Sequence, residues 1–365
     1  MPDGTAGTVS LSDRRCPQVK LDDFKTYKQA QRRFVMCNRL LLVFLALGLL
    51  CLYLWSGGGV SSQERRLMEH VRTAQGRLYD WRVHGGSEFD PLDDPHRTGF
   101  IGLEWSELST TVGLLAAKRT ACDPRWSVII RRWMEDLQIR EGDCVAIYSS
   151  SSFPGMAFNA IAALESLKIQ PLLVVSLGAS VYGANDPLFP WPVIENKLRS
   201  EGFIKTKASF YTPGGNNETG GGVSAEARAI FTQAAADADI PLIIKDNLQE
   251  VISWKLSLLK EHGVKAVISI GGSEGNMGDD PAILRLAPGL HRAGKGGDGV
   301  IGKALEAGYP VIHLLNIKGL ATECGVPFDA PPSLLLHGRR LFIAAAAASV
   351  LFAIVMFKFK RWYIM

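Results

Sequence analysis

Residues 142–176 read GDCVAIYSSSSFPGMAFNAIAALESLKIQPLLVVS. Cys144 to Tyr148 is a short apolar run. Four serines and Phe153-Pro154-Gly155 follow as a tight loop, Met156 to Leu167 has helical spacing, and Pro171 to Ser176 is a second apolar run. Strand, loop, helix and strand in that order make a βαβ unit, which requires parallel pairing. The alternation continues downstream. Helices are predicted over Val193–Ser200, Ser224–Ala236, Asn247–His262 and Gly299–Ala307, and strands over Phe203–Tyr211, Pro241–Ile244, Val264–Ile270 and Tyr309–Leu315. The succession predicts an α/β fold, a mostly parallel sheet with helices on both faces.

Upstream, Ser62 to Val83 spaces Leu67, Met68, Val71, Leu78 and Trp81 as an amphipathic helix, read as a stalk. A Gly/Asp/Pro-rich loop fills Gly85–Thr98. Ser109–Thr120 is predicted helical, and Trp126–Leu137 is a helix starting just after Asp123-Pro124.

Two apolar runs bracket this region. Leu40 to Trp55 and Leu341 to Phe357 contain no charge, and each falls slightly short of the ~20 residues that cross a bilayer. Flanking Arg and Lys can make up the difference by snorkelling. Arg14, Arg15, Lys20, Lys25, Lys28, Arg32, Arg33 and Arg39 precede the first run, and only Arg65 and Arg66 closely follow it. Lys358, Lys360 and Arg361 follow the second. The positive-inside rule then puts both termini in the cytoplasm and the α/β domain outside. The expected organisation is a basic segment (1–39), a transmembrane helix (40–56), a helical stalk with the start of the outer domain (57–140), the α/β domain (141–335), a second transmembrane helix (341–357) and a basic tail (358–365).

The chain has 365 residues, 47% of them apolar, and a formal charge of +4 whose excess lies largely at the termini. The middle is near balance, so the sequence points to no nucleic-acid partner. Six cysteines include no CxxC pair and no zinc spacing. One disulfide among Cys122, Cys144 and Cys324 is open, against a reading of all three as buried thiols. No cofactor or metal is expected.

In an open α/β sheet, ligands bind beyond the C-terminal ends of the strands. Four loops take that position: 149–155, 176–186 (SLGASVYGAND), 271–280 (GGSEGNMGDD) and the turn after His313. The candidate binding residues are Ser149, Ser180, Asn185, Gly271, Gly272, Ser273, Glu274, Asn276, Asp279 and Asn316. A catalytic version would take Ser150 or Ser152 as nucleophile and His313 as base, oriented by Asp279 or Asp280. No G-x-S-x-G elbow is present, and helix capping competes as the role of the serines. The loops PGGNNETGGG (213–222) and GKGGDG (294–299) fit neither a P-loop nor a dinucleotide fingerprint. The first could hold an anion on its N–H groups or be a plain mobile loop. Glu274, Asp279 and Asp280 fit no standard calcium loop.

The phrases TGFIGLEWSELSTTVGLLAAKRTACDP (98–124), GDCVAIYSSSSFPGMAFNAIAALESL (142–167) and SLGASVYGANDPLFPWPVIENKL (176–198) together resemble the bacterial poly-γ-glutamate system protein family. VISIGGSEGNMGDD and AGYPVIHLLNIKGLATECGVPFD extend the resemblance, which covers most of residues 98–330. The family pattern has Ser-Gly-Ser before Phe-Pro, where this chain has Ser150-Ser151-Ser152. The resemblance implies a membrane-anchored component of the apparatus that makes and exports poly-γ-glutamate. Its implied partners are the synthase membrane complex, the anionic polymer and the lipid bilayer. Three roles stay open. They are an accessory that binds or guides the polymer, a serine-dependent hydrolase or transferase that trims it, and a ligand-binding sensor.

Overall fold

The computed structural model describes residues 21–55, 60–334 and 345–354. Contacts divide the chain into two units, one of residues 1–57 with 340–365 and one of residues 58–339. Within the first, α1 (Leu21–Trp55) is a single helix whose C-terminal part holds the first apolar run, and residues 345–354 are helical. Among the described residues no helix is long and apolar enough to cross a membrane, so the structure does not support the two flanking spans. Residues 341–344 and 355–357 of the second run lie outside the described residues, as do residues 1–20 of the basic N-terminal segment and the basic tail 358–365.

The second unit is the α/β domain. Its helices are α2 (Ser62–His84), α3 (Leu115–Ala121), α4 (Arg125–Asp136), α5 (Pro154–Ser166), α6 (Trp191–Ser200), α7 (Ala225–Ala238), α8 (Leu248–Glu261), α9 (Glu274–Met277), α10 (Val300–Glu306) and α11 (Ile317–Cys324). Its strands are β1 (Ser109–Thr111), β2 (Cys144–Ser150), β3 (Gln170–Ser176), β4 (Ala179–Ser180), β5 (Phe210–Thr212), β6 (Ala266–Ile270), β7 (Gly289–His291) and β8 (Val311–Leu314). The main sheet has the order β5-β3-β2-β6-β8-β7. All its pairings are parallel except β7 with β8. From β2 the chain winds outward through β3 to β5. It then returns to lay β6 on the other side of β2, so a topological switch point lies between β2 and β6.

Alternation along the strands sorts the core into two layers. Val145, Ile147, Leu173, Val175, Ile268 and Ile312 face one layer with α2, α4, α5, α6, α7 and α11. Ala146, Tyr148, Leu172, Val174, Val267 and Val311 face the other, with α8 and α10. Right-handed crossovers require this division, since winding in opposite directions from one strand places the connecting helices on opposite faces.

Several expected elements change. Leu67, Met68, Val71, Ala74 and Leu78 of α2 are buried in the first layer, so this helix is part of the domain core and not a stalk. Ser109–Thr120 is not one helix: β1 pairs with β4, and only Leu115–Ala121 is helical. Phe203–Tyr211 contributes only its end to β5, and Pro241–Ile244 reduces to a bridge between Tyr211 and Leu242. Cys122, Cys144 and Cys324 are all free thiols.

Candidate functional site

A cavity of about 270 Å³ opens at the switch point. Its walls come from the ends of β2 and β3 (Ser150, Ser152, Phe153, Ser176), from β4 (Ser180), and from the 271–274 turn (Gly272, Ser273, Glu274). Thr110–Gly113, Lys118, Gly178, Gly215, Asn216 and Leu315 complete it. The volume lies just under the ~300–1,000 Å³ of pockets for drug-sized ligands, so it suits a small group or a short segment. A wider groove between α6 and α7 is lined largely by proline and aliphatic side chains with few convergent polar groups.

The walls are positioned from the sequence up. Ser150 and Ser176 are register partners at the ends of β2 and β3. Beyond them Ser151 N donates to Ser176 O (2.8 Å), and Ala184 N donates to Ser151 O (2.8 Å), turning the serine loop under the 176–186 loop. Pro154 then starts α5 with a φ already suited to a helix. The β1–β4 pairing lays Thr110–Gly113 beside Ser180.

Lys118 is the basic residue on the cavity wall. It projects from α3, is 3% exposed, and donates to the Ser152 carbonyl and to Ser180 Oγ (2.5 Å). Its ammonium sits 3.8 Å from the centre of the Phe153 ring. Ser180 N in turn donates to Ser152 Oγ (2.9 Å). Burial pulls the lysine down to about 7, and among the described residues it forms no salt bridge with a carboxylate. Ser150 Oγ and Ser273 Oγ on the same cavity are buried without a hydrogen-bond partner.

The Gly-rich loop 213–222 is a strap across this end of the sheet. Glu218 turns inward from it, 1% exposed, and meets Lys255 of α8 at 2.6 Å. Thr212 Oγ1 donates to Glu218 (2.7 Å), and Lys255 also donates to Asn276 Oδ1 (3.0 Å). Asn217 N donates to Glu274. The loop is therefore pinned to the core by a buried ion pair, which sets Gly215 and Asn216 on the cavity.

Of the sequence candidates, Ser150, Ser152, Ser180, Gly272, Ser273 and Glu274 are brought together here. Gly271, in the left-handed region, backs onto Ser150 Oγ. The others do different work. Ser149 is buried, lies one residue out of phase with Ser150, and bonds to the Ser150 carbonyl (3.1 Å). Asn185 is fully buried and spends its amide on Leu103 N, Leu103 O and Ser109 Oγ, each at 2.9 Å. Asn276 bonds Tyr148 O (3.1 Å) and Lys255. Asn316 caps α11 through Gly319 N (3.2 Å). Asp279 is exposed, and Asp280 caps the turn at Ala282 N (2.8 Å). Among the described residues no group of three or more His, Cys, Asp or Glu side chains is placed to hold a metal ion.

His313 does not reach the serines. It pairs with Ser269 on β6, level with Tyr148 on β2. Ser150 is therefore two strands away, about 10 Å laterally, and two residues further along. His313 is 3% exposed, its Nδ1 has no partner, and burial with the nearby His291 pushes it down to about 4. Lys118 is the residue that sequence reasoning missed. The available signal is a lysine inside the small apolar run LLAAKRTAC (114–122), where an exposed helix face would carry more polar residues.

The chain matches no family model, no curated protein and no solved structure.

Proposed function

We propose that this chain is a membrane-anchored component of a bacterial poly-γ-glutamate apparatus, and that the switch-point cavity holds a short segment of the polymer. The observation that carries the ligand class is Lys118, a buried basic residue that among the described residues forms no salt bridge, set among serine hydroxyls at a strand-end crevice. A buried charge without a counter-charge is costly, and an anionic ligand offsets that cost. The unpartnered hydroxyls of Ser150 and Ser273 and the amide of Asn216 suit the carboxylate and amide oxygens of a γ-glutamyl chain. Glu274, the acid on the wall, accepts from Asn217 N of the strap. The anchor and its orientation rest on the two apolar runs and their basic flanks, and the polymer on the resemblance of residues 98–330.

The test is binding of labelled γ-glutamate oligomers to the full chain in nanodiscs, against α-linked oligomers and γ-linked oligomers with amidated carboxyls. Tight binding of the γ-linked acid, weakened about tenfold or more by Lys118→Met, is expected for loss of one charge-assisted contact. Equal binding of all three oligomers, or no effect of Lys118→Met, would overturn it. Orientation is checked separately by reporter fusions, with alkaline phosphatase active after residue 334 and a fluorescent protein folded at the C-terminus.

A further inference from the structure

Lys118 and Ser180 are placed for more than binding. Ser180 Oγ lies 2.5 Å from the lysine nitrogen and lines the cavity. The nitrogen donates one N–H to Ser180 Oγ and another to the Ser152 carbonyl; on losing a proton the amine can keep the Ser152 bond and turn its lone pair to the Ser180 hydroxyl. Ser180 N is held by Ser152 Oγ at 2.9 Å, so the nucleophile and the group that orients its base belong to one short network. Gly113 closes the back of the pair. A Cβ there would stand 3.1 Å from Lys118 Cε and 3.2 Å from Ser180 Oγ, so the wall behind them leaves no slack. The unpartnered hydroxyls of Ser150 and Ser273 can donate to an oxygen that gains charge in the same cavity.

We infer that Ser180 and Lys118 are a nucleophile and general base that cleave an amide bond of a γ-glutamyl chain by acyl transfer to water. The assignment rests on the cavity taking a γ-glutamyl segment. Ser180 Oγ attacks the amide carbonyl carbon while neutral Lys118 takes the hydroxyl proton. The tetrahedral intermediate collapses, the C–N bond breaks, and the lysine ammonium gives that proton to the departing amine nitrogen. The product is an ester on Ser180 and a free amine. Water then adds to the ester carbon, its proton going to Lys118. The C–O bond to Ser180 breaks, and the proton returns to the serine oxygen, leaving a carboxylic acid. Serine–lysine pairs are an established variant of serine catalysis, and lysine serves as a base where burial lowers its proton affinity. Its neutral form must be present, so turnover rises with pH through about 7.

The experiment incubates full chain in nanodiscs with poly-γ-glutamate and follows chain length and new amino ends. Shortening with one new amine per break is expected. Ser180→Ala should lower the rate about 10³-fold or more while still binding the oligomer. Lys118→Arg should do the same, because it keeps the charge but supplies no base near neutral pH. Thermal unfolding of both variants checks folding, and Gly113→Ala should slow turnover without abolishing binding. Polymer that binds but keeps its length from pH 6 to 9, or a folded Ser180→Ala that cleaves at the parent rate, would overturn the inference and leave the binding proposal standing. Failure to bind the polymer would overturn both.

Discussion

Lys118 carries one charge, and its proton decides what the cavity attracts. With the ammonium pulled down to about 7, the protonated form dominates below that pH and the neutral form above it. Affinity for a γ-glutamate oligomer should therefore fall as pH rises through 7, measured by titration calorimetry on Ser180→Ala, and this dependence should flatten in Lys118→Met. An anion that seats beside the ammonium raises its proton affinity, so binding near pH 7 should also take up protons from the buffer. Gly271 is the second residue whose chemistry is local. It holds φ +80, and a Cβ there would run into Ser150 Oγ. Gly271→Ala should cost about 1–3 kcal/mol in denaturant unfolding. Adding Ser150→Ala should recover the steric part and leave the backbone part, which a double-mutant cycle separates.

The strap 213–222 is the element that makes the crevice a cavity. Composition alone suits a mobile loop, yet Gly214, Gly215, Asn217, Glu218, Gly220 and Gly222 all take positive φ in one defined path. Its anchor is the Glu218–Lys255 pair, both side chains nearly without exposure. Desolvation lowers the proton affinity of Lys255, and Glu218 opposes that shift. Glu218→Gln leaves the ammonium buried without its counter-charge, and should cost about 3–5 kcal/mol in urea unfolding. Faster hydrogen exchange confined to the strap and α9 would mark its release. Replacing both partners, as Glu218→Leu with Lys255→Met, should recover much of the loss, because it removes the buried charge altogether.

For the whole domain, His313 on β8 ties stability to acid. His313 is neutral and held down to about 4, against about 6.5 in the unfolded chain. Between these values the unfolded state binds a proton that the native state refuses, so stability falls as pH drops from 6.5 toward 4. The full loss is on the order of 3 kcal/mol. Unfolding midpoints from pH 7 to 4 should show this slope, and His313→Val should remove its share. Histidine at a strand end looked like a base in the sequence. In the fold its place is one of packing and acid sensitivity, since its strand lies two places from the serines.

What the sequence determined by itself was the alternation. Apolar runs separated by helical spacing leave a parallel sheet with helices on both faces as the economical way to bury both, and the Gly- and Ser-rich strand ends then fall on one edge. From that, Ser150, Ser152, Ser180, Ser273 and Glu274 were legible as neighbours. Strand order was not legible, because the choice of which strand β6 joins depends on contacts far apart in the chain. That order created the switch point and sent His313 away from it. Lys118 and the strap likewise needed the fold. A lysine shows its environment only when β1, β4 and the serine loop close around it, and a glycine-rich loop shows its rigidity only when Glu218 finds Lys255. Local pattern fixes which face of each element is buried; charge, proton affinity and reach belong to the groups that tertiary packing brings within hydrogen-bond distance.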